Sequence, residues 1–115
     1  NNVRDLGDAL KRRCLHLHIP LPEPALEERI VASRVPGIEA ALTRDLVAFV
    51  QSLRTLDLRK SPSISETVDW ARALTLLGAS ALGAEMVRDT LNVILKFEQD
   101  ITAVEPQVTE IMGRR

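Results

Sequence analysis

Two adjacent arginines, Arg12 and Arg13, close a short run in which Leu6, Leu10 and Cys14 fall at i, i+4 and i+8. That spacing predicts one apolar face of a helix, with Asp5 at its N-cap. A guanidinium is always charged and presents its donors as a rigid fork, which suits an anionic oxygen. The same pair also suits the last turn of a helix, where a cation complements the dipole. On a helix the two side chains point about 100° apart, so they are separate candidates. Asn1 carries an amide that donates and accepts at once, and it reads either as a polar site group or as a solvated terminus. His16 and His18 share one face of the alternating stretch Leu15 to Ile19, and a His-x-His pair can ligate zinc. Zinc sites need four ligands, or three and a water. No other histidine exists, and Cys14 joins that face only if the strand begins early, so no metal site is expected. Ser63 and Ser65 have no activating base nearby in sequence and read as capping groups. Asp57, Asp69 and Asp89 fall singly on helices and read as solvated faces, not as a paired acid and base.

The elements that must carry these residues follow from periodicity. After the first helix, Leu15, Leu17 and Ile19 alternate with His16 and His18, a period of two that predicts a strand. Pro20, Pro22 and Pro24 stop it, since each lacks a backbone donor, and this stretch marks the expected domain boundary: 1–20 before it, 21–115 after. Beyond lies a helical pattern throughout. Pro24 suits the first position of a helix whose stripe is Leu26 and Ile30, ended by Val35-Pro36-Gly37. Ile38, Leu42, Leu46, Phe49, Val50 and Leu53 predict the next helix. A loop with Arg59, Lys60 and Pro62 leads to Ser63-Ile64-Ser65-Glu66, a capping box. The helix it opens carries Val68, Ala71 and Leu74 and ends near Gly78, with Trp70 expected half-buried beside a polar rim. Val87, Leu91, Ile94, Leu95 and Ile101 predict one long fourth helix, broken by Pro106 before a short tail helix at Val108, Ile111 and Met112. A lone strand leaves its backbone groups unpaired, so the stretch from Leu15 to Ile19 is expected to pair with sequence outside these 115 residues.

Composition narrows the class. A chain of 115 residues with 45% hydrophobic and 27% charged residues fits one globular unit. A net charge of −1 leaves no electrostatic footprint for nucleic acid, and Phe49, Trp70 and Phe97 are too few for a base-stacking platform. The longest weakly polar run, Ala73 to Ala84, is far short of the roughly 20 residues that span a bilayer, so no membrane insertion is expected. With Cys14 as the single cysteine no intrachain disulfide forms, and a reducing, cytoplasmic location is expected.

Five segments in order carry a family likeness: Asn1-Asn2-Val3-Arg4-Asp5, Asp8-Ala9-Leu10-Lys11-Arg12-Arg13-Cys14, Val35-Pro36-Gly37, Glu66-Thr67-Val68-Asp69-Trp70-Ala71, and Asp89-Thr90-Leu91. Together they resemble the C-terminal part of a MoxR-type AAA+ ATPase. The resemblance implies an all-α helical lid bundle of about four helices at 21–115. Before it, at 1–20, come one helix and one strand from the end of the α/β nucleotide-binding core. It implies that the chain starts partway through an ATPase whose ring hydrolyses ATP with magnesium and remodels or matures partner proteins. Neighbouring subunits of a homo-oligomeric ring, and a protein bearing a von Willebrand factor A domain, are the implied partners. Asn1 takes the sensor-1 position, which orients the attacking water. Arg13 takes the arginine-finger position, with Arg12 as second candidate. The position that holds a sensor-2 arginine in many relatives is Thr67 here, and Arg72 lies on a different helical face, so no sensor-2 residue is assigned. The chain holds no Gly-x-x-x-x-Gly-Lys-Ser/Thr loop and no acidic strand for magnesium, so it is expected to hydrolyse nothing on its own. A helical interaction module without nucleotide chemistry is the competing expectation.

Overall fold

A computed structural model describes residues 23–113, and every regular element among them is helical. We label these α1 (Pro24–Arg34), α2 (Ala40–Leu53), α3 (Ile64–Leu76), α4 (Ala84–Ile94), α5 (Glu98–Val104) and α6 (Val108–Gly113). A 3-10 turn at Glu105–Gln107 holds Pro106 and joins α5 to α6. The expected all-α bundle is present. The helix and strand expected within 1–20 lie outside the described residues, as does their boundary with the bundle.

Pro24 opens α1 because its missing N–H would be unsatisfied in the first turn anyway. The chain reverses at Val35-Pro36-Gly37-Ile38, where the Ile38 N–H donates to the Val35 carbonyl at 3.2 Å. Proline and then glycine at φ 88° are the two central residues that a type II turn demands. Along α2, Leu42, Leu46, Phe49, Val50 and Leu53 are all buried, as their spacing predicts. At the start of α3 the Ser63–Glu66 capping box is formed, each side chain serving the other's backbone N–H.

α3 ends on Gly78 at φ 81°, whose N–H donates to Thr75 O while the Ala79 N–H reaches Leu74 O, both at 3.0 Å. This pair of bonds is a Schellman cap. A Cβ at Gly78 meets nothing within 4 Å, so the cost of adding one is purely conformational. Gly78→Ala is expected to destabilise the bundle by about 1–2 kcal/mol, read from the urea midpoint. A neutral result would show that the cap relaxes freely.

α1 packs on α2 and α3, α2 on α3, α3 on α4, and α6 closes against α4 and α2. At the centre the rings of Phe49 and Trp70 lie 5.6 Å apart, tilted by 48°, within the range where aromatic pairs attract beyond simple burial. Trp70 is fully buried rather than half-buried. Its indole N–H donates to Thr90 Oγ1 at 2.7 Å, and that hydroxyl reaches Met86 O at 2.8 Å, so α4 supplies the polar partner that burial requires.

Two further expectations are corrected. Leu26 does not face the core; it is 46% exposed, and α1 instead buries Glu27 and Val31, with Val35 following in register. The fourth helix is not continuous. It stops at Ile94, and Leu95 and Phe97 take extended conformations before α5 begins. The break lets Leu95 enter the core and turns Asp100 onto the loop before α3, where it accepts the N–H groups of Arg59 (2.8 Å) and Lys60 (3.1 Å). The Arg59 guanidinium lies 4.4 Å over the Phe97 ring, so the interruption is held from outside as well.

Candidate functional site

The positions that the sequence marked for chemistry, Asn1, Arg12 and Arg13, lie outside the described residues, and so do Cys14, His16 and His18. Thr67 and Arg72 are described. Arg72 is exposed and sits 3.8 Å from Asp69 one turn away, an ordinary surface pair. Thr67 is fully buried in the densest polar cluster among the described residues, where α1, α2 and the first turns of α3 meet.

The cluster is built around Glu27, which has no exposed surface. Arg54, at the C-cap of α2, grips it as a fork: Nη1 donates to Oε1 and Nη2 to Oε2, each at 2.7 Å. Gln51, one turn earlier on α2, donates to Oε1 at 2.7 Å. The Thr67 hydroxyl lies 2.9 Å from Oε2 and 3.0 Å from Ser63 O, and accepts from Arg54 Nη2 at 3.3 Å. The remaining Arg54 donor, Nε, reaches Pro62 O at 2.8 Å. No described buried side-chain donor or acceptor lacks a partner. Burial pushes the Glu27 carboxyl up, but the bonds from Arg54 and Thr67, the Arg54 charge and the Gln51 amide together outweigh it, and the group stays below its ordinary value.

Glu66 forms a second, shallower node. Its Oε1 accepts from the Ser63 N–H at 2.7 Å and from the Ser63 hydroxyl, while Oε2 lies 4.0 Å from Lys60 Nζ and 3.9 Å from Lys96 Nζ. Burial again pushes upward, and the Ser63 bonds with the two lysine charges bring the carboxyl below its ordinary value. The positive end of α3 and both lysines are thereby answered by a carboxylate of the chain itself.

This arrangement locks helices together. Glu27 is saturated with donors and has no exposed surface, so it is not placed to act as a base toward a bound molecule. No cluster of three or more His, Cys, Asp or Glu able to hold a metal occurs among the described residues. Neither Glu27 nor Arg54 was singled out by sequence reasoning. The signal was there: Glu27 stands in i, i+4, i+8 register with Val31 and Val35, and Arg54 is one turn beyond Val50.

A pH dependence follows. Both carboxyls are lowered in the fold, so each contributes stability above the unfolded reference of 4.5, and that contribution is lost as pH falls through the lowered folded value. The urea midpoint is expected to hold steady at neutral pH and to drop below pH 4.5, with a smaller acid drop in Glu66→Gln. A midpoint that rises on acidification contradicts the assignment.

Comparison of the chain with protein-family models, with curated proteins and with solved structures returns no match. Among the described residues no helix is long and apolar enough to cross a membrane.

Proposed function

We propose that this chain is the C-terminal part of a MoxR-type AAA+ ATPase, with residues 23–113 serving as its helical lid. The observation that supports this reading best is the correspondence between motif and element. Val35-Pro36-Gly37 makes the reversal between α1 and α2, Glu66 to Ala71 forms the first turns of α3, and Asp89-Thr90-Leu91 lies within α4. These follow one another in the order the resemblance assigns to a lid. In this reading ATP and magnesium are held by parts of the parent outside residues 23–113, in a cytoplasmic homo-oligomeric ring. Asn1 and Arg13 then belong to the core end, and a protein with a von Willebrand factor A domain is a partner of the parent.

The lid's task follows from its packing. A lid transmits a nucleotide-driven movement only if its helices move together, and the Glu27–Arg54–Thr67 clasp ties α1, α2 and α3 into one unit. Thr67 is consumed by that clasp, so in this chain the start of α3 contributes rigidity rather than a cation aimed at phosphate. The sequence upstream of Asn1 tests the proposal: a Gly-x-x-x-x-Gly-Lys-Ser/Thr loop there, in a protein that hydrolyses ATP, is the expected result. An upstream sequence with no such loop would favour the second reading, a helical interaction module. That reading draws support from Leu76 and Leu77, which are 87% and 60% exposed.

A further inference from the structure

We propose that two copies of this chain pair by exchanging residues 98–113: α4 and α5 of each copy fuse into one helix, which carries α5 and α6 onto the other copy. The inference does not rest on the ATPase reading. The break between α4 and α5 has none of the local chemistry that ends or starts a helix. No glycine or proline occurs from Ala84 to Glu105. α4 is capped by Leu95 in an extended conformation, φ −117° and ψ 127°, where a helix stop commonly uses glycine. α5 starts after Phe97, which has no capping group, where Ser, Thr, Asp or Asn is favoured. α3 has both signals, Ser63 at its start and Gly78 at its end. Leu95, Lys96 and Glu98 all favour a helix. Val87, Leu91, Ile94, Leu95 and Ile101 fall on one side of a continuous helix, yet Ile101 is only partly buried in the broken form. Local preference and tertiary arrangement therefore disagree at 95–97, as they do in segments with two available conformations.

What holds the broken form is long-range. Asp100 accepts the N–H groups of Arg59 and Lys60, and the Arg59 guanidinium donates to Gln99 Oε1 at 3.1 Å. Arg88 of α4 donates to the Thr109 hydroxyl of α6 at 2.9 Å. Val104, Val108 and Ile111 are buried in the core. The partners Arg59, Lys60 and Arg88 all precede the break, so a second copy presents the same seat. The structure itself shows what fits that seat, namely residues 98–113 of this chain. Exchange keeps the Asp100, Gln99 and Thr109 bonds and adds helical hydrogen bonds across 95–97. Against it stands the freedom lost on association, so the pairing is weak and favoured by concentration.

The test uses the whole 115-residue chain with Cys14→Ser. Refolding from urea at high concentration lets the segments exchange, and a species of twice 12.7 kDa is expected in sedimentation. Arg88→Cys and Thr109→Cys variants are then refolded together and treated with a short bismaleimide. A cross-link between copies is expected at least fivefold above that of either variant refolded alone, because exchange sets position 88 of one copy against position 109 of the other. Lys96→Pro forbids the fused helix but suits the break, since Leu95 already has the conformation that precedes a proline. It should cut the dimer fraction roughly tenfold, while Lys96→Ala removes the same charge, keeps the helix preference and should dimerise like the parent. A chain that remains monomeric at the highest soluble concentration overturns the proposal, as does a dimer without the cross-link between copies. Equal dimer fractions in Lys96→Pro and Lys96→Ala, with monomers that melt alike, overturn it too. The cross-link decides whether or not Lys96→Pro folds.

Discussion

Arg54→Met is expected to lower the unfolding free energy of the bundle by about 3–5 kcal/mol. The Arg54 side chain is 6% exposed and Glu27 is fully buried, so water cannot replace the lost fork. Without Arg54 a carboxylate remains in the interior facing only Gln51 and Thr67, and it must either stay charged without a counter-ion or take up a proton. At about 4–8 °C per kcal/mol for a domain of this size, the melting temperature falls by well over 10 °C. Glu27→Gln strands the guanidinium instead and is expected to be nearly as costly. Replacing both with apolar residues, as Glu27→Leu with Arg54→Met, should cost less than the sum of the two, because neither charge is then orphaned. Arg72→Ala, which removes an exposed pair, is the control and should fall within about 0.5 kcal/mol. Chemical denaturation of the four variants decides the matter. A loss under 1 kcal/mol for Arg54→Met would mean that the site floods on mutation and that the clasp is not what holds α1 to α3.

The clasp also shows how far the sequence was legible. Apolar periodicity located α2 and α3 because Leu42, Leu46, Phe49 and Leu74 obey the rule that buried positions are apolar. Local chemistry located their ends, since a type II turn needs glycine after proline and a capping box needs Ser63 with Glu66. Both methods fail where the core is charged. In α1 the apolar spacing points both Leu26 and Ile30 inward; Ile30 does pack against the core, but Leu26 does not, because Glu27, which reads as a solvent residue, takes the buried position. Its burial is decided by Arg54, 27 residues away, which no local window contains. The break after α4 was hidden for a similar reason. Ile94, Leu95 and Ile101 fit a continuous helix, and the interruption is fixed by Asp100 capping backbone N–H groups 40 residues earlier. Trp70 looked like a rim residue because its hydrogen-bond partner, Thr90, belongs to another helix. Of the site itself, Thr67 was marked as the place where an arginine is missing. Its actual engagement with Glu27 depends on three elements meeting.

In the proposed AAA+ parent ring, Arg13→Ala is expected to leave ATP binding nearly unchanged and to reduce turnover by at least tenfold. The residue lies outside the described region, so the expectation rests on the proposed family and on charge chemistry. A finger supplied by a neighbouring subunit neutralises charge that develops only as the phosphoryl group transfers. In comparable systems it is worth about 10³–10⁵ in turnover. An interaction made only in the transition state lowers kcat and leaves KM alone when it is removed. Mixing the Arg13→Ala ring with a variant defective in its own phosphate loop should restore part of the activity. A mixed ring contains some interfaces where an intact site meets an intact finger. Arg12→Ala is the control, expected to be milder, because on the helix that the sequence predicts it would fall about 100° from Arg13. A strong loss at Arg12 with a silent Arg13 would place the finger one residue earlier. Unchanged turnover in both would remove the arginine finger from this chain, and with it the reason to place the first helix at a subunit interface. The clasp variants separate this outcome from a folding defect. Arg54→Met should lower turnover and melting temperature together, whereas Arg13→Ala should lower turnover in rings whose melting temperature is unchanged.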